Sequence, residues 1–212
     1  MPDDPLYLWA KKAKKDDTDL LAFHPLLCHL LDVGAAAEQL WATCLPESTK
    51  AWLARQLGLE VESAGRWAKF LAAAHDLGKA SRVFNEQIRH GSAKHGTIST
   101  FLLESGLQQT PFNLTRDVAV RLAVVVGGHH GVFPRAADTK QVRYDQNQAG
   151  IGRWKVHQRW LLGEITRLLG IAGTPPPNHL MNPGAVWLAG FISVADWIGS
   201  NQDFFPYAAP QG

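Results

Sequence analysis

The chain has 212 residues, 46% hydrophobic and 19% charged, with 21 Lys+Arg against 19 Asp+Glu. That length suits one domain with a sizeable core, or at most two small ones, and the composition excludes wholesale disorder, while a net charge of +2 excludes neither nucleic acid nor small anions as ligands. Two cysteines are too few for a disulfide scaffold or a Cys-rich zinc site, so the nine histidines are where chemistry is to be sought. The start, MPDDPLYLWAKKAKKDD, runs acidic, briefly apolar and then mixed in charge, the wrong order for a secretory signal. Its lysine run over residues 11–15 is answered by Asp16, Asp17 and Asp19. His24-Pro25 reads as a helix start, with Pro25 at the first helical position, and Leu26, Leu27, Leu30, Val33, Ala37, Leu40 and Trp41 follow as a stripe that Pro46 ends. Cys28 and Cys44 would share this helix about 24 Å apart and could not bridge, which fits a reducing cytoplasm. Further helices are expected over residues 47–57, closed by Gly58, over 64–77, with Trp67, Phe70, Leu71 and Ala74 on one face, and over 82–89, 95–104 and 115–126. Residues 127–152, which hold GGHHG, a proline and several amides, read as a long functional loop. Helices resume over 153–169 and 184–199. The longest apolar stretch, residues 185–195, is well short of the ~20 residues of a membrane helix. No alternating run is long enough to read as a strand. The expected fold is all-α, one helical domain over residues 1–212.

Five clusters could carry chemistry. His75-Asp76 closes the apolar helix AAAHDLGK, where such groups cost energy unless they are paired or bind metal. One carboxylate can bridge two cations while its neighbouring imidazole binds one of them, and Lys79, three residues beyond Asp76, could point at an anion held by those cations; the alternative is a capped helix end with Gly78 as cap and Lys79 answering the dipole. His129 and His130 sit between glycines and can converge on one centre, or simply belong to a surface loop. His29 interrupts the first apolar stripe, as a core histidine or a ligand. His95-Gly96 opens a short helix, as a cap or a ligand. Asp196 lies inside the apolar helix FISVADWIGS with no obvious partner in the sequence, and Asp is rarely fully buried unless paired. Imidazole and carboxylate ligands without thiolates suit transition metals bound for catalysis. Seven candidates exceed the needs of one tetrahedral ion, so two divalent ions are expected, Fe, Mn, Ni or Co ahead of Mg or Zn. Two such ions suit in-line phosphoryl displacement.

The order H…HD…H…HH…D on a helical chain resembles the HD superfamily of metal-dependent phosphohydrolases. Within it, HPLLCHLLDVGAAAEQLW, HDLGKASRVF, the following HG, GGHHG and AGFISVADWIGS are similar to the HD nuclease domain of the type I CRISPR nuclease-helicase, and YLWAKK is similar to the start of its subtype I-E members. The resemblance implies that His29, His75, Asp76, His95, His129, His130 and Asp196 ligate metal. It further implies that Lys79 contacts the scissile phosphate or helps protonate the leaving group. His24 competes with His29 as the first ligand; Val33 follows His29 by four residues, as in HD proteins, and this favours His29. His90 competes with His95, which carries the glycine. Ser200 is expected to support the site without ligating, and His157 and His179 are expected at the surface. The implied activity is cleavage of single-stranded DNA, first as an endonuclease and then by exonucleolytic degradation, on the displaced strand of the R-loop. The implied partners are the Cascade surveillance complex with its guide RNA and a helicase. No GxxxxGK[ST] loop is present, so no helicase motor is expected in this chain. The alternatives are an HD phosphohydrolase of nucleotides or small phosphoesters, and a non-catalytic recruitment module.

Between residues 135 and 159, Arg135, Lys140, Arg143, Arg153, Lys155 and Arg159 face only Asp138 and Asp145. With Tyr144, Trp154 and Trp160 interleaved, this is the composition of a single-strand track. The alternative is a solvated loop leading into an amphipathic helix: Trp154 and Trp160 are expected in the core, and Arg135, Lys140, Arg143 and Tyr144 stand open between strand contacts and solvated surface.

Overall fold

The computed structural model describes residues 4–12, 23–87 and 94–206. His90 and the charged run beyond Lys12 lie outside the described residues. Ten α-helices among the described residues carry the fold, and no helix there is long and apolar enough to cross a membrane.

Two short strands come first, β1 (Trp9–Lys12) and β2 (Phe23–Pro25), paired antiparallel with a bulge between Trp9 and Lys11. The sequence reading has no strand here because three or four residues are too few for alternation to register. Pro25 ends β2 and stands just outside helix α1 (Leu26–Gln39), not inside it. The stripe of α1 is buried as its spacing requires: Leu26, His29, Leu30, Val33, Gly34, Ala36 and Ala37. The helix runs on into one π-turn, Leu40–Cys44, and Cys28 and Cys44 are free.

Helix α2 (Glu47–Leu57) has the bounds its pattern predicts. Helix α3 (Val61–Ala73) ends four residues earlier than its apolar run. The chain then turns through His75 and Asp76 into a 3-10 turn, Leu77–Lys79. Helices α4 (Arg82–Asn85), α5 (His95–Gly106) and α6 (Arg116–Gly127) follow. The expected long loop is a correction: it contains α7 (Ala136–Tyr144) and α8 (Gln146–Ala149). Asp138 accepts from the backbone N–H of Arg135 at 2.9 Å and starts α7. Thr139 and Val142 are its buried residues, a stripe too thin to stand out in a polar segment. Helices α9 (Arg153–Leu168) and α10 (Asn182–Gly199) complete the domain.

The core lies where α1 packs against α3 and α10, with α5 against α6. Trp67 is buried against Phe70 and Phe112, with ring centroids 5.7 and 5.8 Å away. Its indole N–H donates to the carbonyl of Pro175 at 2.9 Å, the partner a buried Trp needs.

Candidate metal centre

Five segments deliver polar side chains to one place. The apolar stripe of α1 carries His29 inward. The turn after α3 offers His75 and Asp76, α5 begins at His95, the turn after α6 offers His129 and His130, and α10 carries Asp196. Two glycines make the approach possible. A Cβ on Gly78 would stand 2.0 Å from the carbonyl oxygen of His95, so only glycine lets the turn seat on α5. A Cβ on Gly199 would stand 2.8 Å from the Val33 backbone, so α10 closes directly onto α1 and sets Asp196 beside His29.

The side chains form two groups. In one, His29, His75, Asp76 and Asp196 place a ligand atom each within 4.8 Å of the others; in the second, His95, His129 and His130 do the same. Asp76 faces both. Its Oδ2 is 3.1 Å from Nε2 of His29 and 3.1 Å from Nε2 of His75. Its Oδ1 is 3.3 Å from Nε2 of His95 and 3.7 Å from Nε2 of His129. Asp196 Oδ1 lies 3.3 Å from His75 and 3.7 Å from His29, and the hydroxyl of Ser200 donates to it at 2.8 Å. The Nε2 atoms of His95 and His130 are 2.9 Å apart.

These residues fit divalent metal. Nδ1 of His75 donates to the carbonyl of Ala72 at 2.9 Å, and Nδ1 of His129 to that of Val126 at 2.7 Å. Such bonds fix the tautomer and turn Nε2 inward. There, Nε2 of His129 and Oδ1 of Asp76 are buried without a hydrogen-bond partner, and Nε2 of His75 meets only the two carboxylates. Buried polar atoms are rarely left so, and the converging atoms are all imidazole nitrogen or carboxylate oxygen, a donor set for a borderline transition metal.

Electrostatics sharpen the picture. Burial pushes His29 and His95 down to about 4 and His129 to about 3, despite the Asp76 carboxylate. Burial also opposes the charged form of His75, yet Asp76 and Asp196 outweigh it and raise His75 to about 9. Burial works against both carboxylates too, but the His75 cation and, for Asp76, Lys79 hold them below the usual range. Lys79 Nζ lies 2.5 Å from Asp76 Oδ2. Three neutral histidines and one cationic one thus surround two ionised acids.

A family model described as Cas3, HD domain, matches residues 9–205. The chain belongs to the Cas3 HD-domain family. It is 35% identical to the CRISPR-associated endonuclease/helicase Cas3 of Thermus thermophilus, over 95% of this chain but 23% of that protein. Among solved structures, the Thermus thermophilus cas3 HD domain in the presence of Ni2+ superposes with a TM-score of 0.76 at 33% identity, over 99% of this chain and 83% of that one. A chain of a CRISPR RNA-guided surveillance complex, pre-nicking, gives a TM-score of 0.78 at 26% identity, over 92% of this chain and 25% of that one. The chain therefore spans about a quarter of the length of the curated Cas3 protein it matches.

In this Cas3 HD-family chain, His24 joins neither group: its Nε2 lies 2.7 Å from Asp32. His157 corrects an expectation. It is buried, because it falls with Trp154, Gln158, Leu161 and Ile165 on the inner stripe of α9. His179 is half-buried, with Nε2 3.0 Å from the carbonyl of Arg55. Trp154 is buried and Trp160 packs against the core. Arg135 pairs with Asp138 and Arg143 with Glu104, while Lys140 lies over the exposed ring of Tyr144. Ser99 is absent from the sequence reading: its hydroxyl accepts from the N–H of Gly78 and donates to the carbonyl of His75, each at 2.8 Å. The available signal is its place one turn after His95, a small polar residue in an apolar helix.

Proposed function

We propose that this chain is a metal-dependent nuclease that cleaves single-stranded DNA, within strands and then exonucleolytically, using two divalent ions. One observation carries the reading: the two oxygens of Asp76 divide between two separate groups of ligands. His29, His75, Asp76 and Asp196 would hold one ion, and His95, His129 and His130, with Asp76 shared, the other. Five imidazoles against two carboxylates favour Fe, Mn, Ni or Co over Mg, which prefers oxygen. When bound, such ions would supply Lewis-acid activation of water and charge stabilisation on the phosphoryl oxygens. The chain's own residues do the rest. Asp76 fixes the spacing of the two groups, Ser200 orients Asp196, and Lys79 places a cation beside the centre to bind a phosphate oxygen or protonate the leaving oxygen.

The substrate follows from access. Asp76 and Lys79 are buried in the turn after α3, so a thin flexible strand would reach them more readily than a duplex. Lys140 and Tyr144, both exposed, offer a cation for phosphate and a ring for a base, and Arg135 and Arg143 are exposed too, each paired with a carboxylate. Membership of the Cas3 HD-domain family supports a role in CRISPR interference. The strand would be the one displaced in the R-loop, fed by a helicase domain or subunit and reached through the Cascade complex with its guide RNA, in the cytoplasm. Residues 1–212 are read as the nuclease domain alone.

The test is cleavage of circular single-stranded DNA by metal-stripped protein with Mn, Fe, Co, Ni, Mg or Zn added singly, beside Asp76→Ala. Cutting by the wild type alone is expected. Hydrolysis of mononucleotides with the circle untouched would assign a small-phosphoester hydrolase instead. A folded protein that cuts nothing in any metal would leave a recruitment module.

A further inference from the structure

Behind the turn that carries His75, Asp76 and Lys79 lies a cavity of about 510 Å3, bounded by α5, α8, α9 and the segment after α5. Its floor is apolar and partly aromatic, with Leu77, Leu102 and Phe112. Leu77 belongs to the 3-10 turn but faces away from the metal ligands into the core. Gln158, also buried, donates to the carbonyls of Ala80 and Ala149 at 2.8 Å each and closes the wall toward that turn. The rim is cationic, with Lys155 and Arg159 one turn apart on α9, and no carboxylate lines the cavity.

These two cations differ from the three neighbouring arginines and, like Lys140, have no carboxylate partner among the described residues. Arg135, Arg143 and Arg153 each have a carboxylate, at 3.2, 2.9 and 3.9 Å. Lys155 donates to the amide oxygen of Gln146 across the rim at 2.9 Å, and Arg159 Nε to a backbone carbonyl at 3.3 Å. A purely apolar ligand would leave both charges unused, and an inorganic anion would leave the floor unused. The size is that of an ordinary small-ligand pocket.

We propose that this cavity binds a nucleoside monophosphate unit, with the base on the apolar floor beside Phe112 and the phosphate on Lys155 and Arg159. Phe112 is 6% exposed and packed on Trp67 and Phe70, so the floor offers the base apolar contact rather than a ring face to stack on, while the guanidinium and ammonium groups offer the phosphate charge-assisted hydrogen bonds. The site is separate from the metal centre and does not rest on the nuclease reading. The same unit can be a free nucleotide or the 5′-phosphorylated end of a strand.

Gly163 provides the test. It lines the cavity on the exposed side of α9, and a Cβ there meets nothing within 4 Å. Gly163→Leu adds a bulky side chain to the cavity lining with no neighbour for its Cβ to strike, while raising helix propensity. Calorimetric titration of the 212-residue chain with dAMP, in chelator so that phosphate cannot bridge to metal, is expected to give one site. Deoxyadenosine and inorganic phosphate should each bind at least tenfold more weakly. Gly163→Leu should abolish binding and Arg159→Gln weaken it at least fivefold, with melting temperatures kept, while Lys79→Gln should leave it unchanged. A 5′-phosphorylated tetranucleotide competing through the same Gly163-dependent site separates the two sources: tighter binding than dAMP assigns a strand end, weaker binding a free nucleotide, and either supports the site. No binding of dAMP by the wild type overturns it. So does binding that survives Gly163→Leu, or binding lost in Lys79→Gln, which would put the anion at the metal ligands.

Discussion

Removing a carboxylate such as Asp76 from water costs several kcal/mol, and only close cations return it. In the metal-free protein those cations are His75 and Lys79, at 3.1 and 2.5 Å. Metal at the histidine groups would replace the His75 proton and leave Lys79 free to meet phosphate. Two substitutions separate the acids. Asp196 approaches only His29 and His75, whereas Asp76 faces both groups. Elemental analysis should find two ions in the wild type, about one in Asp196→Asn and none held tightly in Asp76→Asn. Equal loss in both variants would mean that the groups do not bind separately. For Lys79→Ala, turnover should fall about a hundredfold, the size of losing one charge-stabilising donor, with metal content unchanged. Lost metal would show instead that its ammonium is needed to assemble the ligands.

At the scale of elements, the helices were legible where a long apolar stripe had clean ends, as in α1 and α2. They were not where tertiary contacts set the ends. Helix α3 stops at Ala73 although its apolar pattern continues, because the turn at Gly78 must seat against the start of α5. Helix α7 was missed because two buried residues give little periodicity, and the β1–β2 pair because its strands are short and distant in sequence. The candidate ligands were named from spacing and family resemblance, and a carboxylate shared by two cations was expected at His75-Asp76, but which histidines fall on each side of it needed coordinates. Ser99 belongs to this scale, since it ties α5 to the turn through Gly78 and His75. Ser99→Ala would strand a buried N–H and a buried carbonyl, at a cost of about 2 kcal/mol or more. A melting temperature lowered by roughly 4–8 °C is expected, together with weaker metal binding because His75 loses its anchor. A thermally neutral variant with normal metal affinity would remove Ser99 from the site's support.

For the whole molecule, the shifted histidines make stability a function of pH with opposite signs on the two sides. In chelator, His29, His95 and His129 resist protonation until about 4, 4 and 3, whereas the unfolded chain takes up those protons near 6.5. Stability therefore falls as pH drops from about 6.5 toward 4, by at most about 1.4 kcal/mol per pH unit for each group. His75 acts the other way. Its raised value, about 9, gives stabilisation that is complete below 6.5 and lost as pH rises toward 9. The metal-free protein should thus melt highest near pH 6.5. Ligation at Nε2 of His75 requires the neutral ring, so metal uptake near pH 7 should release about one proton, and metal affinity should rise with pH up to about 9. Added Mn or Ni should then move the stability maximum to higher pH by mass action. Thermal melts from pH 4 to 9, with and without metal, read both effects. A chelated protein that grows steadily more stable through pH 9 would mean that His75 is not the cation balancing Asp76 and Asp196.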